Sequence, residues 1–194
     1  MVCQASPRIA EMAAPVGFAP RPGHQSSKFE SICYVTGHCS LGFVLVAMTD
    51  RGVCAILLGD ATAPLISDLH RRFAHAQCRV GDARGDHTLA RVIALIERPD
   101  AAFPLPLDIR GTAFQLQVWQ ALRRLIPGTT ASYAGIARQI GRPRATRAVA
   151  RACAANPLAV VIPCHRVVRT DGGLGGYRWG IDRKRLLLNR EAGP

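Results

Sequence analysis

Between Ser31 and Gly59 the chain carries three apolar runs, SICYV, LGFVLVAMT and VCAILLG, the last two separated only by the DRG turn at 50–52. Segments of this composition with so little chain between them are expected to pair as antiparallel strands. A sheet therefore forms early, and the rest of the chain must cover it. The period then changes. Leu65, Ile66, Leu69 and Phe73 fall on one helical face, and Leu89, Val92, Ile93 and Ile96 on another that ends near Pro99. Strands followed by helices specify an α+β fold. With 194 residues, 48% of them hydrophobic and 20% charged, the chain can build one good core or two small ones.

Three segments follow from this pattern. Residues 1–27 are rich in Ala, Pro, Gly, Ser and Arg without a period, and read as a flexible lead-in. Residues 28–107 form a small α/β unit that carries no catalytic constellation and serves as support. PLPLDIRG (104–111) is a linker or an edge strand. Residues 108–194 are mostly helical. Thr112 and Gln115 fit a capping box that opens a helix with Phe114, Val118, Trp119, Leu122 and Ile126 facing inward, stopped by Pro127 and Gly128. Ser132 caps SYAGIARQI, which ends at Gly141. A second short helix, PRATRAVARACAA, runs to Asn156-Pro157, where Asn suits a left-handed cap and Pro forbids continuation. Two short helices joined through a glycine are a helix-turn-helix candidate.

Charge points to a partner. The chain holds 25 Lys+Arg against 13 Asp+Glu, net +12. A polyanion is the expected partner, nucleic acid ahead of a membrane, because no basic amphipathic anchor is present. On the second short helix Arg144, Arg147, Ala148 and Arg151 share a face among small neighbours, which suits close approach to a phosphodiester backbone. A solvated basic face is the bland alternative. The seven cysteines show no C-x-x-C and no zinc-finger spacing, so no metal is expected and most read as small core residues of a reduced cytosol. No apolar stretch reaches membrane length and no signal peptide opens the chain, so a cytoplasmic, nucleoid-associated protein is expected.

The segment VVIPCHRVV (160–168) places Cys164, His165 and Arg166 inside an apolar run, where an unpaired Arg would be costly. Only the thiolate is a strong nucleophile, and lowering a thiol from ~8.5 by three units takes about 4 kcal/mol. A nearby His and the surrounding arginines are the groups available to supply it. Neighbouring side chains in regular structure do not face each other, so a direct Cys164–His165 hydrogen bond is not expected; a bent backbone or a water would have to connect them. A core Cys beside a surface His reads equally well from the dipeptide alone. The glycines at 172, 173, 175 and 176 lack the Lys and framing of a phosphate loop and read as a flexible loop beside the site.

With its flanks, this segment resembles a known family, the O6-alkylguanine-DNA alkyltransferases, and most nearly the half found in bacterial Ada-type adaptive-response proteins. PCHRVV carries the likeness together with RGTAFQLQVWQAL, SYAGIA, RAVARACAANPLAVVIPCHRVV, GGYRWG and LLLNREA, from roughly Ser31 to Ala192. The resemblance implies a ribonuclease H-like first unit, and single-turnover transfer of an alkyl group from guanine O6, and also thymine O4, to the protein. Cys164 matches the nucleophile, His165 its base acting through a water, Glu191 the carboxylate that orients the imidazole, and Tyr133 the hydroxyl that binds the purine. Asn156 matches the hinge, and Arg147 the residue that fills the stack after the nucleotide flips out. The backbone of Val167 and the segment Tyr177, Arg178 and Trp179 would meet the base edge. Ala145, Ala148 and Ala152 would permit minor-groove docking, while Arg151 departs from the usual small residue. Bulky Trp179 at the pocket edge would favour methyl over benzyl-type adducts. No cofactor is implied, and the partner is double-stranded alkylated DNA bound by a monomer. Nothing before residue 28 has the cysteine spacing of the Ada zinc-binding sensor. A non-catalytic lesion-recognition or regulatory DNA-binding module is the alternative, which the presence of Cys164 disfavours. A cysteine hydrolase would need an oxyanion hole, and no helix N-terminus is expected beside Cys164 to make one.

Overall fold

The early apolar runs form a sheet in the computed structural model, which describes residues 30–99 and 103–193; the expected lead-in at 1–27 lies outside them. β1 (Glu30–Cys39), β2 (Gly42–Thr49) and β3 (Gly52–Gly59) pair antiparallel, with Thr49 opposite Gly52 at the DRG turn. After α1 (Thr62–Arg72) the chain returns as β4 (Ala76–Val80), parallel to β1, giving the order β3-β2-β1-β4. The strand β4 was not expected. Its sequence AQCRV is short and mostly exposed, with only Ala76 and Cys78 packed against the core, and its backbone bonds to a single neighbour hold it as an edge strand.

Both faces of the sheet are covered. Val44 and Val46 pack with Val92 and Ile96 of α2 (Ala83–Glu97), whereas Leu45 and Ala47 pack with Leu65 and Leu69 of α1. Strands buried on both sides read as continuous apolar runs, which is what β2 and β3 show. The outer edge of β3 is occupied as well. Val53 N–H donates to Pro106 O and Asp108 N–H to Val53 O, both at 2.9 Å, so PLPLDIRG contributes one parallel bridge at Leu107 and no strand. Further along, Ile56 N–H donates to Pro157 O (2.9 Å) and Ala159 N–H to Ile56 O (3.0 Å). The chain just ahead of Cys164 is thus docked on the sheet.

The second half comprises α3 (Ala113–Leu122), β5 (Ala131–Ser132), α4 (Tyr133–Gln139), α5 (Thr146–Ala154), a 3-10 turn at Cys164–Arg166, β6 (Val167–Val168) and α6 (Ile181–Glu191). The capping box of α3 is complete, with Thr112 Oγ1 accepting from Gln115 N–H and Gln115 Oε1 from Thr112 N–H. Ser132 caps α4 through Gly135 N–H at 2.9 Å. Three expectations fail. Ile126 is 69% exposed, because α3 ends at Leu122 and the chain tightens into i→i+3 turns that release the Leu125 carbonyl. Arg144 precedes α5 rather than riding on it, since the Pro143 segment forms a turn first. Asn156 is not left-handed; among described non-glycine residues only Val160 has positive φ, at 66°.

Candidate active site

A pocket of about 320 Å³ opens between α5 and the loop before α6, lined by Tyr133, Ala150, Cys153, Ala154, Cys164, Gly176, Tyr177 and Arg178. That volume suits a small ligand. Its walls follow from local structure. β5 pairs parallel with β6, Ala131 opposite Val167, which sets the start of α4, and therefore Tyr133, beside the turn that carries Cys164. Gly175 backs onto the Tyr133 ring; at φ +65° a Cβ would be strained and would meet the hydroxyl at 3.2 Å. α5 presents Ala150, Cys153 and Ala154 to the pocket while Arg147 and Arg151 face solvent.

Cys164 is held from behind. Asn156, fully buried, donates Nδ2–H to Ile162 O (2.8 Å) and to Cys164 Sγ (3.2 Å), and its Oδ1 accepts Leu158 N–H (2.8 Å). These bonds close the 157–163 loop, in which Val160 sits strained; a β-branched residue there costs about 1–3 kcal/mol. The thiol does not become a resting thiolate. Burial pushes it up to about 11, against the hydrogen bond from Asn156 and the charges of Lys184 and Arg178. Of the groups expected to lower it, only an arginine, Arg178, acts in that sense and burial outweighs it; His165 is neutral and Arg166 binds Glu191 instead.

His165 and Glu191 form a buried pair. His165 Nε2 lies 2.7 Å from Glu191 Oε1, both side chains fully buried. Burial acts to raise the Glu191 carboxyl, but hydrogen bonds from His165 and Arg166 outweigh it and bring it down to about 2. An ionised carboxylate only accepts, so Nε2 carries the proton and Nδ1 keeps the lone pair. Nδ1 has no protein partner, and burial holds the imidazole below 6.5 despite the carboxylate. As expected, no direct Cys164–His165 bond forms among the described residues.

Arg166 answers the question raised by a cation in an apolar run. It donates Nε–H and Nη2–H to the two Glu191 oxygens, both at 2.9 Å, and Nη1–H to Leu125 O at 2.6 Å. Gly128 N–H adds a bond to Glu191 Oε2 at 3.3 Å. Sequence reasoning did not foresee the pairing of Arg166 with Glu191, and it missed Lys184 altogether. Fully buried, Lys184 donates Nζ–H to Val167 O (2.5 Å), Leu174 O and Gly176 O (3.4 Å), pinning the glycine loop that was expected to be flexible. The only signal for Lys184 was a cation on the inner face of an amphipathic helix.

The other expected positions divide. Tyr133, Tyr177 and Arg178 reach the pocket. Trp179 does not: it is 6% exposed, packed edge-on against Tyr177 at 5.2 Å, and absent from the lining. Val167 is fully buried and its carbonyl already accepts from Lys184. Ala152 faces the core, giving its carbonyl to Trp119 Nε1–H at 2.9 Å, so it cannot belong to a docking face; Ala145 and Ala148 are half-buried. A 3-10 turn does start at Cys164, contrary to expectation, but it spans only three residues. No group of metal-ligating side chains occurs among the described residues, and no described helix is long and apolar enough to cross a membrane.

A family model described as the DNA binding domain of 6-O-methylguanine DNA methyltransferase matches residues 113–193, from α3 through α6. The inducible methylated-DNA–protein-cysteine methyltransferase of Bacillus subtilis is 36% identical over 149 residues, 75% of this chain and 82% of that one. The chain belongs to the O6-methylguanine-DNA methyltransferase family. Its likeness to the bifunctional transcriptional activator/DNA repair enzyme Ada of Escherichia coli is 55% identity over 162 residues, 84% of this chain. The chain spans a little under half, 46%, of that relative's length. Among solved structures, the Mycobacterium tuberculosis family member OGT, in complex with DNA, superposes with a TM-score of 0.69 at 34% identity, covering 82% of this chain and 92% of the other. These methyltransferase likenesses extend over the sheet as well as the pocket.

Proposed function

We propose that this chain repairs alkylated DNA by moving the alkyl group of O6-methylguanine, and of O4-methylthymine, onto Cys164 in a single turnover. The observation that carries the reading is the arrangement at the pocket floor: a buried thiol under Asn156, beside an imidazole whose proton is fixed on Nε2 by Glu191 and whose Nδ1 lone pair is unengaged. His165 takes the thiol proton through a bridging water as Sγ attacks the methyl carbon. The Sγ–C bond forms as the O6–C bond breaks; its electron pair stays on the purine, which takes up a proton and leaves as guanine. Tyr133, its hydroxyl pushed up to about 12 by burial, is a neutral donor to the ring. No group in the pocket is placed to cleave the resulting thioether, so each molecule acts once.

The target atom lies inside a duplex, so the nucleotide must swing out at a cost of a few kcal/mol. α5 is suited to that step, since Ala150 and Ala154 wall the pocket directly beside exposed Arg147 and Arg151, with Arg144 just ahead. Arg147 fills the vacated stack while Arg144, Ala148 and Arg151 lie along the backbone in the minor groove. Tyr177, Arg178 and the neighbouring backbone receive the base. Residues 28–107 act as a supporting domain and 108–194 as the transfer domain, in a cytoplasmic monomer. The order β3-β2-β1-β4, three antiparallel strands then a parallel one, supports a ribonuclease H-like reading of the first. The test is intact mass and peptide mapping after mixing with excess O6-methylguanine duplex. One added methyl on the Cys164 peptide is expected. Tight lesion binding at unchanged mass would instead make the chain a recognition module.

A further inference from the structure

Two arginines of the second half reach back to acidic residues flanking or lying within α1. Arg183 of α6 donates to Leu41 O (2.6 Å) and Trp179 O (2.8 Å) and pairs with Asp60. Arg178, on the pocket rim, gives Nη2–H to Asp68 Oδ2 at 2.8 Å and Nη1–H to Ala154 O at 3.3 Å. Ala154 closes α5 and lines the same pocket. The guanidinium therefore spans the gap between the loop and the docking helix, and its firm contact is to the sheet side of the molecule. Asp68 also accepts from Arg71 (2.5 Å) and Arg72 (3.1 Å). Burial acts to raise its carboxyl, but the hydrogen bonds from Arg72 and Arg178 prevail and hold it below the usual range, so it is ionised.

We propose that Asp68 is a positioning residue that fixes Arg178 as a bar across the pocket rim, so that α1 limits the size of the alkyl group admitted to Cys164. This rests on the alkyl-transfer reading above. Without Asp68, Arg178 keeps only its long bond to the Ala154 carbonyl, and the entropy of a freed arginine side chain favours release into solvent. A methyl group needs no extra width at the rim, whereas a benzyl group does. The consequence is read in the benzyl-to-methyl ratio, whatever the change in the absolute rates.

Single-turnover transfer to Cys164 would be followed by mass for wild type, Asp68→Asn, Asp68→Glu, Arg178→Ala and the Asp68→Asn/Arg178→Ala pair. Each is given one duplex bearing O6-methylguanine and the same duplex bearing O6-benzylguanine. In Asp68→Asn the benzyl-to-methyl rate ratio should rise about tenfold, in the range of pocket-size effects. Arg178→Ala should raise it at least as far, the pair no further, and Asp68→Glu should restore it. An unchanged ratio in Asp68→Asn and Arg178→Ala, or additive effects in the pair, overturns the proposal. A wild type that leaves Cys164 unmodified by either duplex would remove the functional reading itself, which separates the two failures.

Discussion

Burial holds Cys164 protonated and His165 neutral, so the alkyl transfer proposed above depends on a proton moving between them as the alkyl carbon is attacked. The pH dependence follows. The imidazole is depressed below 6.5, so transfer should stay level from about pH 7 to 9 and decline only as acid protonates His165. A free thiolate would instead give a rate that climbs tenfold per unit toward about 11; rapid-quench rates across pH decide between them. Replacing Cys164 with Ala should abolish transfer and leave lesion binding intact, measured by mass and by gel shift. Glu191 carries two burdens, since it fixes the His165 tautomer and neutralises Arg166. Glu191→Gln strands a buried cation, and a loss of about 3–5 kcal/mol in urea unfolding is expected, together with slower transfer.

At the scale of elements, α5 joins recognition to chemistry, and Arg147→Ala should slow repair in duplex more than in single-stranded DNA; equal losses would remove its stack-filling role. Much of this architecture was legible where the signal is local. The Thr112–Gln115 box, the Ser132 cap and the DRG turn each depend on neighbours within four residues, and each stands where the sequence placed it. What escaped depends on distant partners. Ile126 fits the α3 period, yet the helix unwinds so that Leu125 O can meet Arg166 forty-one residues on. β4 offers only five residues of weak alternation, and what holds it is its backbone pairing with β1, more than forty residues earlier. The family resemblance placed Trp179 at the pocket edge, but its ring packs inward. Lys184 and Asp68 become visible only once the carbonyls and guanidinium they bind have been brought together.

For the whole molecule, acid should be the weak direction. Glu191 titrates near 2 when folded against an ordinary 4.5, so its stabilisation is complete above 4.5 and lost as pH falls toward 2, about 3 kcal/mol in all. His165 adds in the same sense, because below 6.5 the unfolded chain takes up a proton that the folded one resists. Urea midpoints should drop steadily between pH 6.5 and 4. Net charge acts on binding: affinity for duplex should fall steeply with salt, and removing Arg144 or Arg151 should reduce the logarithmic slope by about one. The neutral, buried thiol has a further meaning under the proposed single-turnover transfer. Cells contain many small electrophiles and oxidants, and an exposed thiolate would fall to them long before meeting a lesion. Holding Cys164 as a shielded thiol makes the waiting protein durable, with a long shelf life against iodoacetamide or peroxide, and reserves its one reaction for a base delivered into the pocket.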